Sequence, residues 1–158
     1  MILGLDPGNT RSALVALDGT RVAFAHLLEN GEMLAWLERY QFAPIDMLVI
    51  ERVESFGMAV GAEVFETVFW SGRFAEAWAQ RACRWDRLTR RDVKLHLCRT
   101  SRAKDANIRQ ALIDRYGGKD AAIGRKAMPG PLYGLKADLW AALAVAVTYA
   151  DTRAQEAA

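Results

Sequence analysis

Apolar positions alternate with the spacing of strands at the start of the chain and with the spacing of helices further along it. Residues 2–6 read as an apolar strand, Ser12 to Leu17 as a second, and Asp18-Gly19 as a tight hairpin turn before a third strand from Arg21 to Leu27. Met33, Trp36, Leu37 and Tyr40 then recur at helical intervals within Glu32 to Tyr40, and Pro44 closes the connection to a strand from Asp46 to Glu51. An antiparallel meander followed by a helix and another strand predicts an α/β fold with a mixed sheet, because a helical crossover joins parallel neighbours. Gly57 to Gly61 reads as a loop. Ala62 to Arg81 reads as a long helix with Val64, Phe65, Val68, Phe69, Phe74 and Trp78 turned mainly inward. A short strand from Trp85 to Leu88 and helices from Thr89 to Cys98 and Ala103 to Tyr116 follow, the last stopped by Gly117-Gly118. Residues 117–134 hold five glycines and two prolines and read as a loop able to move; the final helix runs from Lys136 to Ala150. No internal repeat and no domain boundary interrupts this pattern, so residues 1–158 are expected to form one domain.

Length and composition narrow the class. A chain of 158 residues can bury a core without staples. Cys83 and Cys98 lack CxxC spacing and suggest neither a disulfide framework nor a zinc site, which suits a reducing cytoplasm. The longest apolar run, Leu139 to Ala150, is too short to span a bilayer, and the start lacks the charged and apolar regions of a secretion signal. Net charge is only +2, but residues 81–126 carry +9 and the remainder −7. Such segregation matches a polyanion-binding face beside an acidic pocket able to gather cations, although a basic helical face can also be merely solvated.

The acids supply the chemistry. The apolar run Ile2 to Leu5 ends in Asp6, followed at once by Pro7-Gly8; Met47-Leu48-Val49-Ile50 ends in Glu51; Asp138 opens the most apolar stretch of the protein, LWAALAVAVTYA. Three carboxylates at the ends of three core elements are hard oxygen ligands on rigid supports, as magnesium-dependent phosphodiester hydrolysis requires. Each acid also has a structural explanation. Asp6 could cap its turn, Glu51 could pair with Arg52 or another arginine, and Asp138 could favour a helix N-terminus. Trp70, Trp78 and Trp140 lie at helical spacings that suit core or dimer packing, while His26 and His96 stand isolated in sequence and suggest no ligand role.

Four segments carry a family likeness: ILGLDPGNT at the start, VIERVESFGM around Glu51, RDVKLHLCRTSRAKDANIRQALI in the basic stretch and YGLKADLWAALAVAVTY near the end. Together they make the chain resemble the RuvC Holliday-junction resolvases of the ribonuclease H-like superfamily, most closely the short variants of phages and prophages. The resemblance implies a five-stranded mixed sheet flanked by helices, and a homodimeric endodeoxyribonuclease that nicks four-way or other branched DNA. It implies two Mg²⁺ ions, replaceable by Mn²⁺, held by Asp6, Glu51 and Asp138. Lys94 and Lys104 match lysines that face the scissile strand, with Lys104 also catalytic; Arg91 and Arg102 of the same segment are expected at the DNA. Phe56 and Met58 either supply an apolar wedge against unpaired bases, as the resemblance implies, or pack in the core. The long helix at 62–81 and the Trp-bearing final helix are candidate dimer surfaces, since an interface stripe and a core stripe look alike in sequence. One departure stands out: a further acid or histidine is usual one turn into the last helix, where this chain has Ala141. Water, DNA phosphate or Glu54 would have to complete the second metal's shell.

Two rivals remain on the sequence alone. A non-catalytic binder of branched DNA is favoured by Ala141. An actin-like ATPase also places Asp-x-Gly after its first strand, but needs a second lobe for which this chain is too short.

Overall fold

The computed structural model describes residues 1–41, 47–55, 57, 59–81 and 83–156. Strands β1 (Ile2–Asp6), β2 (Arg11–Asp18) and β3 (Arg21–Glu29) form the expected antiparallel meander. Gly19 sits in the hairpin at φ +58°, a conformation that glycine adopts without steric cost. Helix α1 (Asn30–Arg39) leads to β4 (Met47–Arg52), and helix α2 (Ala62–Ala79) to β5 (Arg84–Thr89). Both of these strands pair in parallel, giving a mixed sheet of order β3-β2-β1-β4-β5.

Alternation along the central strands divides the core in two. Leu3, Leu5, Leu14, Ala16, Leu48 and Ile50 face α1 and α2, meeting Met33, Leu37, Phe74 and Trp78. Ala13, Val15, Leu17 and Val49 face the opposite layer, built from α6 (Leu139–Glu156) with α3 (Arg90–Cys98) and α4 (Asp105–Arg115) outside it. Helix α6 is apolar nearly all round because it is sandwiched between the sheet and α3/α4. It lies directly on β1 at Gly4, where an added Cβ would stand 2.2 Å from the Ala142 carbonyl oxygen. That close approach fixes the start of α6 against the end of β1.

The structure corrects several expectations. On α2, Phe65, Val68 and Phe69 are exposed rather than inward; the buried contact with the core comes from the later turns, with Phe74, Ala75 and Trp78, and half-buried Trp70 packs beside them. Residues 117–134 are not one open loop. They form a short helix, α5 (Lys119–Ala122), and a two-stranded ladder of β6 (Gly124–Arg125) and β7 (Met128–Pro129). The segment is tied down by buried Leu132, whose N–H donates to the Ala122 carbonyl at 2.8 Å. Helix α6 begins at Leu139 instead of Lys136, because Ala137 takes φ +46° and breaks the helical run, and it continues past Ala150. Trp140 is buried beneath the Arg109 guanidinium, so this part of α6 is core and not a dimer surface. Cys83 and Cys98 are free and half-buried. Among the described residues no helix is long and apolar enough to cross a membrane. The predicted beginning of β4 at Asp46, with Pro44 before it, lies outside the described residues.

Candidate active site

The site begins with the β1 turn. Asp6 is the last residue of β1, and the Pro7-Gly8 turn behind it is locked by two buried polar side chains, Ser12 and Asn30. The Gly8 N–H donates to Ser12 Oγ at 3.2 Å, the Ser12 hydroxyl donates to Asn30 Oδ1 at 2.7 Å, and the Asn30 amide donates to the Gly8 carbonyl at 2.9 Å. Asn30 opens α1, so the position of Asp6 is set by a different element from the strand that carries it.

Glu51 stands on the neighbouring parallel strand, one step beyond the Leu5–Ile50 register pair. Period-two alternation puts Asp6 and Glu51 on the same face as Gly4 and Val49, the face that α6 covers. Asp138 is exposed immediately before α6, with its carbonyl accepting the Ala142 N–H at 3.0 Å. Glu51 and Asp138 both act on Asp6 through their charge. Burial chiefly, then the charge of Glu51, with smaller contributions from Asp138 and Asp105, push the Asp6 carboxyl up from 3.8 to about 8 against the opposing pull of Arg90. Burial likewise raises Glu51, while Arg90 and Lys94 pull it down.

Glu51 does have an arginine partner, Arg90 rather than Arg52. Arg90 Nη1 lies 3.0 Å from Glu51 Oε2, and Nη2 bonds Asp105 Oδ1. Arg52 instead sits 3.7 Å from Glu54, which lines a pocket of about 220 Å³ together with Asp6, Glu51 and Arg90. Arg90, Asp105, Ser12 and Asn30 were not legible as site residues. The 39-residue separation of Glu51 and Arg90 leaves no local pattern to read, although Thr89 and Asp92 do mark the start of α3 as a capping box.

Lys94 is half-buried one turn after Arg90 on α3 and acts on Glu51 through its charge. Lys104 is exposed at the start of α4, where Asn107 Oδ1 accepts its backbone N–H at 2.8 Å, and its neighbour Asp105 is the second partner of Arg90. Arg91 and Arg102 are exposed. Phe56 and Met58 lie outside the described residues. Ala141 is half-buried in the first turn of α6. His96 is not isolated in space: its Nε2 is 2.7 Å from Asp151, which Arg115 also grips with both Nη atoms at 2.6 and 2.7 Å. Burial pushes Asp151 up, but the bonds from Arg115 and His96 outweigh it and hold its carboxyl below 3.8. This cluster ties α3, α4 and α6 together as a strut.

Among the described residues no three or more His, Cys, Asp or Glu side chains are gathered into a metal-holding arrangement. The donor set still suits a hard divalent cation: all its atoms are carboxylate oxygens, and both the burial that chiefly keeps Asp6 protonated near neutrality and the added repulsion from Glu51 are costs of its charge that a bound cation would offset.

No family profile matches the sequence, and no curated protein matches it significantly. The solved structure of Thermus thermophilus RuvC superposes with a TM-score of 0.69 at 17% identity, covering 98% of this chain and 96% of the other. The Thermus thermophilus RuvC complex with a Holliday junction substrate gives 0.68 at 19%, covering 98% and 95%. The chain has the RuvC fold, a ribonuclease H-like mixed five-stranded sheet flanked by helices.

Proposed function

We propose that this chain is a RuvC-like endodeoxyribonuclease that binds branched DNA, four-way junctions above all, and nicks paired strands by metal-dependent phosphodiester hydrolysis. The observation that carries this reading is the placement of Asp6 and Glu51 side by side at the ends of two parallel strands, with Asp138 close enough to raise the Asp6 pKa. Asp6, Glu51 and Asp138 would hold Mg²⁺, or Mn²⁺ in its place, up to two ions per site. Bound there, the ions supply Lewis-acid activation of water and stabilisation of the leaving 3′-oxygen.

The protein's own contribution is placement and charge. Asp6, with its turn pinned by Ser12 and Asn30, is the rigid member of the set. Lys94 and Lys104 orient the scissile phosphate, and Lys104 offsets charge developing on its oxygens. Arg91 and Arg102 add backbone contacts, and Phe56 and Met58, in the connection from β4 to α2, press on unpaired bases. A four-way junction is close to two-fold symmetric, so paired nicks call for a homodimer. The exposed Phe65, Val68 and Phe69 of α2 support that helix as its interface. The protein works as one nuclease domain in the cytoplasm and belongs with the phage-type variants.

Ala141 and the Glu51–Arg90 pair favour a second reading, a non-catalytic branched-DNA binder. One experiment separates the two: incubation of a synthetic four-way junction with Mg²⁺ and the wild type, Asp6→Asn, Glu51→Gln or Asp138→Asn. Metal-dependent paired nicking by the wild type, abolished in each variant while junction binding persists, is the expected result. Binding without cleavage at any metal concentration leaves the non-catalytic reading; near wild-type cleavage by two of the variants defeats the carboxylate assignment.

A further inference from the structure

The acid cluster already contains a cation of its own. Arg90, the first residue of α3, sends its guanidinium into the pocket beside Asp6 and divides it between two carboxylates of different character. Glu51, 14% exposed, belongs to the three-acid set; Asp105, 81% exposed, stands outside it on α4. A partly desolvated guanidinium bonded to a carboxylate forms one of the stronger polar contacts in proteins, and Glu51 Oε2 cannot serve Arg90 and a divalent ion at full strength together. Because Nη1 holds Glu51 and Nη2 holds Asp105, the side chain can release Glu51 without losing its other partner.

We propose that Arg90 is a built-in counter-ion that competes with divalent metal for Glu51, and that Asp105 is the acceptor that retains the guanidinium when metal enters. The proposal rests on the reading of Asp6, Glu51 and Asp138 as metal ligands. It makes metal binding conditional: without the ion, Arg90 neutralises Glu51, and the ion must displace it. With Ala141 supplying no fourth carboxylate, the guanidinium bonded to Glu51 is a fixed positive charge inside the set, and it lowers metal affinity further than the missing ligand alone would. Arg90 is thus a positioning residue for Glu51 whose removal tightens metal binding, the opposite of what loss of a purely structural support would do.

The two partners predict opposite signs, which makes the test sharp. Mn²⁺ binding to the whole chain, without DNA, is measured by electron paramagnetic resonance and by calorimetry, with thermal unfolding as the check on folding. Arg90→Gln, which keeps an N–H donor near Glu51 but removes the charge, should bind Mn²⁺ roughly tenfold more tightly than the wild type. Asp105→Asn, which leaves Arg90 with Glu51 as its only carboxylate partner, should bind several-fold more weakly. Adding Asp6→Asn to Arg90→Gln should remove the gain, showing that the ion sits among these acids. Unchanged or weaker binding by Arg90→Gln, with Asp6→Asn still abolishing it, overturns the competition and leaves the metal-site reading standing. Should Arg90→Gln fail to fold, Asp105→Asn decides alone: weaker binding supports the proposal, and unchanged or tighter binding overturns it. Failure of every folded variant and of the wild type to bind Mn²⁺ overturns both the proposal and the metal site beneath it.

Discussion

The folded protein without metal favours the protonated form of Asp6 near neutrality and disfavours the carboxylate. Burial and the neighbouring acids raise its pKa to about 8, whereas in the unfolded chain it returns to 3.8. Between those values the folded protein keeps a proton that the unfolded chain has released, so stability falls as pH rises. The contribution from Asp6 is complete below pH 3.8 and is lost progressively as pH climbs through about 8. Asp6→Asn should therefore unfold at a higher temperature than the wild type at pH 7 to 8 in metal-free buffer, with the gap closing towards pH 4, while its cleavage is lost. Thermal unfolding followed by circular dichroism across a pH series checks this, and a wild type at least as stable as the variant at pH 8 would refute it. Active sites commonly trade stability for function in this way. At this scale the sequence was informative about where Asp6 and Glu51 stand, at the ends of β1 and β4, because a charge closing an apolar strand is visible in one dimension. It was silent on Arg90, Asp105, Ser12 and Asn30, whose roles exist only through contacts between elements distant in the chain.

Gly4 shows how the elements hold the acids together. The Ala142 carbonyl and the Ala146 amide would stand 2.2 and 2.8 Å from any Cβ placed there, and both belong to the backbone of α6, which has no rotamer to adjust. Gly4→Ala must push α6 off β1. The expected cost is about 1–3 kcal/mol, the usual range for overpacking, with a larger loss of cleavage because Asp6 and Asp138 separate. Urea denaturation beside a cleavage assay tests it, and a variant of wild-type stability and activity would show that α6 can shift freely. Strand and helix boundaries were legible wherever apolar spacing was regular, as in β1 to β3, α1 and α3. The outward stripe on α2 was not, since periodicity reports which side chains share a face but not what covers it. Residues 117–134 misled for a related reason: their glycines and prolines do mark turns, but Leu132 carries the turns back onto the core.

At the scale of the molecule, two surfaces remain to be used. Phe65 and Phe69 are 66% and 56% exposed on α2, with Val68 between them. If they form the two-fold interface, Phe65→Ser with Phe69→Ser should yield a monomer by sedimentation, with little loss of monomer stability because neither ring lies in the core. A dimer that survives the double substitution would place the interface elsewhere. The second surface is the basic segment, where charge alone overstates the footprint. Several of its cations are already spent within the protein: Arg90 on Glu51 and Asp105, and Arg115 on Asp151. Arg102 and Lys104 are exposed and make no ion pair among the described residues. Only an uncommitted cation can release counterions from DNA phosphate. Arg102→Ala or Lys104→Ala should therefore lower the slope of log affinity against log salt by about 0.9 each on duplex arms. Arg115→Gln should leave that slope unchanged while loosening the contact among α3, α4 and α6, seen as a lower unfolding temperature. Fluorescence titrations of junction and linear duplex over a salt series distinguish these outcomes. Equal slope changes for Arg102, Lys104 and Arg115 would mean that the internal pairs open on binding and that the whole basic segment, paired or not, meets the DNA.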